Sequence, residues 1–148
     1  MKLLVQRVKS ASVEVDENVV ASINSGLLCY VGFSKFDIED DIDYIVDKVV
    51  RLRIFSNDEG KFDISVSDSE AEILLVSQFT LYADVRKGRR PSFTKAMGIE
   101  EAKSMFGKTV ERFKWKGIDV STGIFQAHMN VKSINDGPVT IMIDSMIR

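Results

Sequence analysis

Apolar residues alternate with polar ones through both ends of this chain, while helical spacing is confined to two segments. That division constrains the fold more than any other feature. Near the start, Ala11, Val13 and Val15 alternate with polar neighbours, Asp16-Glu17-Asn18 supplies a turn, and Val19 to Ile23 returns as a hairpin. Leu27 to Phe33 reads as a fully buried strand. Ile54-Phe55 predicts a short strand before the turn Asn57-Asp58-Glu59-Gly60, and Ile73-Leu74-Leu75-Val76 predicts another that leads into Ser77-Gln78-Phe79-Thr80-Leu81. Strand patterns return over Ile118 to Thr122 and over Phe125, Ala127, Met129 and Val131. Asn135-Asp136-Gly137-Pro138 then reads as a turn before Val139, Ile141 and Ile143.

Between these blocks, Ile38, Ile42, Ile45 and Val49 share one face of a helix that begins at Ile38 with Asp37 as its cap. Glu39, Asp40, Asp41 and Asp43 crowd its first turns, and Lys48, Arg51 and Arg53 follow at its end. That order suits the helix dipole, so these acids read as a solvated face rather than a ligand site. A second helix is marked by Ile99, Ala102, Phe106, Val110 and Phe113, with Gly117 placed to end it. Strands in blocks with only two principal helices predict an α+β fold built on a mainly antiparallel sheet. With 148 residues and neither a repeat nor a linker, one domain spanning residues 1–148 is expected.

A single cysteine, Cys29, and a single histidine, His128, exclude an intrachain disulfide and a Cys/His zinc site; neither a metal nor another cofactor is expected. Cys29 lies in an apolar run and reads as buried core. His128 alternates with Phe125, Ala127 and Met129, which predicts the opposite, exposed face of a strand and argues against a Ser-His-Asp triad. Gly107-Lys108-Thr109 resembles the end of a phosphate-binding loop, but Ala102 stands where that motif needs its first glycine. The first residues turn polar too soon for a signal peptide, and no stretch has the length of a membrane span, so a cytoplasmic protein is expected. A net charge of −2 means that any nucleic-acid binding must come from a local patch.

Three local signals remain. The strand end Ser77-Gln78-Phe79-Thr80 carries three hydrogen-bonding side chains. Alternation puts Ser77 and Phe79 on one face and Gln78 and Thr80 on the other. From pattern alone it is an ordinary strand end unless a second element converges on it. Gly137-Pro138 is a candidate for that element; its peptide is of the type that adopts the cis form, yet taken alone it reads as a hairpin turn. Arg86 to Lys95 holds five positive charges and no acid, in a loop broken by Gly88 and Pro91, and suits contact with a phosphate backbone.

Gln6-Arg7-Val8, Ser77-Gln78-Phe79-Thr80-Leu81, Arg89-Arg90-Pro91-Ser92-Phe93, Thr122 to Met129 and Asn135-Asp136-Gly137-Pro138-Val139-Thr140 together resemble the D-aminoacyl-tRNA deacylase family, in order and across nearly the whole chain. The resemblance implies a homodimeric α+β enzyme that hydrolyses the ester joining a D-amino acid, or glycine, to the 3′ end of tRNA. It implies that Ser77, Gln78, Phe79 and Thr80 line the pocket and that Gly137 and Pro138 form a Gly-cis-Pro element reaching into the partner's pocket. Arg7 would hold that element, and Phe125 and Met129 would lie near the adenosine. His128 falls at a variable position and takes no role.

An aminoacyl ester is already activated, so backbone N–H groups around Phe79 and Thr80, with the ribose 2′-hydroxyl assisting, would suffice without a histidine. Thr80 is the hydroxyl to consider as a nucleophile, but positioning substrate suits it better because no base is evident. The competing expectations are a small nucleic-acid-binding module without chemistry and a purely structural dimerisation domain.

Overall fold

A computed structural model describes residues 1–148. In chain order the strands are β1 (Lys2–Val15), β2 (Asn18–Ile23), β3 (Gly26–Gly32), β4 (Phe55–Ser56), β5 (Phe62–Ile64), β6 (Glu72–Ser77), β7 (Val120–Thr122) and β8 (Asn130–Asp144), with helices α1 (Glu39–Arg51) and α2 (Ile99–Trp115). Asp16 and Glu17 both take positive φ, the geometry of a tight hairpin turn, and return the chain from β1 to β2. On one edge, β1 pairs antiparallel with β3 over Lys2–Val8 and with β2 over Ala11–Val15; its other edge pairs antiparallel with β8. Beyond β3 the sheet continues with parallel strands β6 and β7. The antiparallel majority expected from the alternation is present, but the sheet is mixed.

Both faces of this sheet are covered, which is why β3 and β6 are continuous apolar runs rather than alternating ones. On one face Leu3, Val5, Leu27, Cys29, Ile73 and Leu75 meet Ile42, Ile45 and Val49 of α1 and Phe106 and Phe113 of α2. The intervening residues Leu28, Leu74 and Val76 turn to the other face and pack with Val8, Ala11 and Val13. Gly117, at φ +79°, ends α2, with the N–H of Ile118 donating back to the Phe113 carbonyl.

Two expectations for α1 are corrected. Asp37 is not its cap: this buried carboxylate receives the Met1 ammonium at 2.5 Å and the Ser34 N–H at 2.6 Å, while the Asp41 carboxylate accepts the Ile38 N–H at 2.9 Å. Of the acids expected on a solvated face, Glu39, Asp40 and Asp43 are exposed, but Asp41 is buried. Glu39 pairs with Lys108 at 2.6 Å, Asp43 with Arg112 at 2.6 Å and Asp47 with Lys116 at 3.3 Å, a ladder joining the two helices. Such exposed pairs are worth about 0–1 kcal/mol each, so they align the helices more than they stabilise them.

Asn135-Asp136-Gly137-Pro138 is also not a hairpin turn. Strand β8 runs through it as one element, but Gln6 faces Thr140 and Val8 faces Asn135, so residues 136–139 bulge out opposite Arg7 alone. Arg7, 9% exposed, spans the gap: its Nε donates to the Asp136 carbonyl at 3.0 Å and its Nη1 to the Ile54 carbonyl at 2.6 Å. The Asn135 side chain closes the base of the bulge, accepting the Val139 N–H at 2.9 Å and donating to Thr140 Oγ1 at 2.9 Å. The Gly137-Pro138 peptide is cis.

Replacing Arg7 leaves two carbonyls without their donor. Arg7→Ala is expected to lower unfolding stability by roughly 2–4 kcal/mol, and Arg7→Lys to recover only part of that because one ammonium lacks the planar fork. Chemical denaturation of the three proteins measures both steps, and a fully restored Arg7→Lys variant would refute the fork requirement.

Candidate active site

The site begins where β6 loses its partner. The N–H of Gln78 donates to the Val31 carbonyl at 2.7 Å, and β3 then ends at Gly32. Gln78 bends to φ −148°, ψ 81°, and Phe79–Tyr82 forms a 3₁₀ turn. The expected alternation from Ser77 through Leu81 therefore does not extend past Ser77, since with no ladder beyond Gly32 the chain satisfies its carbonyls through the turn. The N–H of Leu81 reaches back to Gln78 and that of Ala83 to Thr80, but the N–H groups of Phe79 and Thr80 have no acceptor within the chain. The close approach requires glycine at position 32, where a Cβ would lie 2.7 Å from the Gln78 carbonyl oxygen.

Beside this turn lies a cavity of about 600 Å³. Ser77, Gln78 and Phe79 form one wall, Phe93 and Met97 another, and Phe125, Gln126, His128 and Met129 a third. Phe93 meets Phe79 edge-on, with ring centroids 4.9 Å apart. Thr80 is exposed and does not line the cavity; its hydroxyl accepts the Gln78 side-chain amide at 2.5 Å.

Of the residues singled out in the sequence, Ser77, Gln78, Phe79, Phe125 and Met129 come together here, whereas Arg7, Gly137 and Pro138 do not line the cavity of their own chain. Residues 123–129 are not a strand, because Gln126 takes φ +69° and the segment turns before β8. His128 is exposed, as expected, while Phe125, Ala127 and Met129 are half-buried, but it follows a turn rather than standing in a strand and contributes to the same cavity wall. Phe93 and Met97 carried no periodic signal as site residues; Phe93 was visible only as the aromatic of the basic loop.

Two buried groups outside the cavity lining have raised pKa values. Burial pushes the Cys29 thiol far up, which with full burial makes it core rather than nucleophile. Burial, reinforced by the Asp37 carboxylate, likewise raises the Tyr82 phenol. The chain assembles no group of three or more His, Cys, Asp or Glu side chains spaced to hold a metal ion, and none of its helices is long and apolar enough to cross a membrane.

The family described as D-Tyr-tRNA(Tyr) deacylase matches residues 4–144. A D-aminoacyl-tRNA deacylase of Thermotoga petrophila is 50% identical over 145 residues, covering 98% of this chain and 97% of the relative. One from Aquifex aeolicus is 53% identical over 145 residues, covering 98% of each. Among solved structures, c-Myc DNA Unwinding Element Binding Protein is similar at TM-score 0.91 and 38% identity, covering 97% of this chain and 98% of the other. A probable eukaryotic D-amino acid tRNA deacylase has TM-score 0.85 at 16% identity, covering 96% and 97%, and shows the same fold. Similarity over nearly the whole length makes this chain a hydrolase acting on an ester bond. It belongs to the D-Tyr-tRNA(Tyr) deacylase family.

Gly32→Ala tests the geometry of the turn. The added methyl must push the Gln78 carbonyl away, and displacements of this size at a reacting centre cost about tenfold or more in rate. We expect ester hydrolysis to fall by at least about that factor while far-ultraviolet circular dichroism stays native. Unchanged hydrolysis would show that the position of the turn is not critical.

Proposed function

We propose that this enzyme hydrolyses the ester of D-aminoacyl-tRNA, releasing the free D-amino acid and the tRNA, and does so with backbone donors. The observation that carries this reading is the pair of unpaired N–H groups at Phe79, which lines the apolar cavity, and at Thr80, next to it in the same turn. Attack on the ester carbonyl turns its oxygen into an oxyanion. Donors fixed by a hydrogen-bonded turn stabilise that charge without reorganising, and one such donor is worth about 3–4 kcal/mol. Because the ester is activated, water oriented by the neighbouring ribose 2′-hydroxyl is a sufficient nucleophile.

The Gln78 amide occupies the Thr80 hydroxyl, and no base is hydrogen-bonded to it, so Thr80 shapes the turn and positions substrate rather than attacking. The rings of Phe79, Phe93 and Phe125 offer flat apolar surfaces to the terminal adenosine.

Chirality is decided by rejection, through a Gly137-Pro138 element supplied by a second copy of the chain. Two observations support this. That element does not line its own cavity, and β8, which carries it, is an edge strand exposing Ile134 and Met142. In a homodimer the carbonyls of Gly137 and Pro138 face the substrate α-carbon from across the interface and leave no room for the side chain of an L-residue. Glycine has no side chain to exclude, so glycyl-tRNA is also a substrate. Charged tRNA places this activity in the cytoplasm.

Incubation with D-aminoacyl-tRNA and its L-counterpart tests the reading: release of the D-amino acid alone is expected, and equal release of both would end it. Thr80→Ala is expected to keep most of the activity, within about tenfold; a loss of about a thousandfold would instead make the hydroxyl a nucleophile. At Gly137, with φ +138°, an added Cβ would lie 2.8 Å from Val139 Cγ2 and 3.3 Å from Arg7 Nη2. Gly137→Ala is therefore expected to lower the ratio of D- to L-hydrolysis, or activity as a whole. An unchanged ratio at unchanged rate would remove this element from chiral selection.

A further inference from the structure

We propose that the loop from Asp84 to Lys95 is a phosphate clamp, in which Lys87, Arg89, Arg90 and Lys95 hold the sugar-phosphate backbone of the tRNA while its 3′ end enters the cavity. This rests on the deacylase reading above and assigns the loop a role in that same substrate complex.

The first support is how cations are used across the chain. Of its 20 lysines and arginines, 15 have a carboxylate within 4.0 Å or stand over an aromatic ring. The other five are Lys87, Arg89, Arg90, Lys95 and Lys103, and four of those stand in this loop. Of the eight cations with no carboxylate within 4.0 Å, four thus cluster in this one loop, where they are available to an external polyanion.

The second is that the loop is built rather than loose. Asp84 and Ser92 exchange both backbone hydrogen bonds, at 2.8 and 2.9 Å, and close its base. Arg86 folds back onto the Asp84 carboxylate, with Nε at 2.9 Å from one oxygen and Nη2 at 2.5 Å from the other. That pair neutralises the fifth cation and secures one arm; the other arm ends at Phe93, whose ring packs on Phe79 at the cavity wall. The exposed tip, turned by Gly88 at φ +72°, therefore presents its charges next to the cavity mouth.

The third is distance from the chemistry. None of these side chains lines the cavity, so they can bind the body of a substrate without touching the ester. Phosphate contacts position a nucleic acid and carry no sequence information, as an enzyme acting on many tRNAs requires.

Binding of uncharged tRNA, followed by fluorescence anisotropy across a series of salt concentrations, tests the proposal without depending on catalysis. Each phosphate contact contributes about 0.7–0.9 to the slope of log affinity against log salt. The triple variant Lys87→Ala/Arg89→Ala/Arg90→Ala is expected to flatten that slope by about 2–3, whereas Lys103→Ala leaves it unchanged. With charged substrates, the triple variant should raise KM for D-aminoacyl-tRNA while keeping the wild-type rate on D-aminoacyl-adenosine, which has no phosphate. A wild-type slope in the triple variant, or an equal loss on both substrates, would overturn the clamp. If the wild-type protein hydrolyses neither substrate yet binds tRNA with a slope that the triple variant loses, the clamp stands and the deacylase reading fails.

Discussion

Strand β1 is hydrogen-bonded along both edges, and the sheet is assembled around that fact. Its first half pairs with β3, its second half with β2, and β8 follows its other edge nearly from end to end. A strand so occupied has no freedom to slide, because moving it by one residue would turn Leu3 and Val5 out of one core and Val8 out of the other. The ladder with β8 shifts register twice, at Lys9 and, opposite residues 136–139, at Arg7. The Arg7 guanidinium takes the place of ladder bonds there, tying the bulge that carries Gly137 and Pro138 at the Asp136 carbonyl to the carbonyl of Ile54.

The elements set by local pattern were legible in the sequence. Buried faces of α1 and α2, the stop at Gly117, the two-sided burial of β3 and β6 and the inert Cys29 all follow from spacing and composition. What the sequence did not reveal depends on partners distant in the chain. Ser77-Gln78-Phe79-Thr80 looks like continuing strand until β3 is known to end at Gly32. Asn135 to Pro138 reads as a hairpin turn because nothing local shows Arg7 waiting opposite. Asp37 has the chemistry of a helix cap, and only the meeting of Met1, Ser34 and Ser145 at one buried point shows its actual use. Around His128 the alternation of exposure holds, but a positive φ at Gln126 makes the segment a turn rather than the strand that the pattern suggests.

Charge shows the same contrast between averages and places. A net charge of −2 conceals a ladder of acid–base pairs between α1 and α2, which cancels within the protein, and four exposed cations in the loop from Asp84 to Lys95, which have no carboxylate partner. The cavity itself is largely apolar, and none of these four side chains lines it.

The unpaired amides of Phe79 and Thr80 have a further consequence, for how the site can change over generations. A peptide N–H belongs to every residue type but proline, so no ordinary point mutation deletes it. Side chains around the turn are free to drift while the donors persist, provided that Gly32 keeps the backbone in place. Vulnerability is thereby moved from the groups at the rim to the packing beneath them. A glycine three strands of sequence away from the turn becomes harder to replace than the threonine that stands on it.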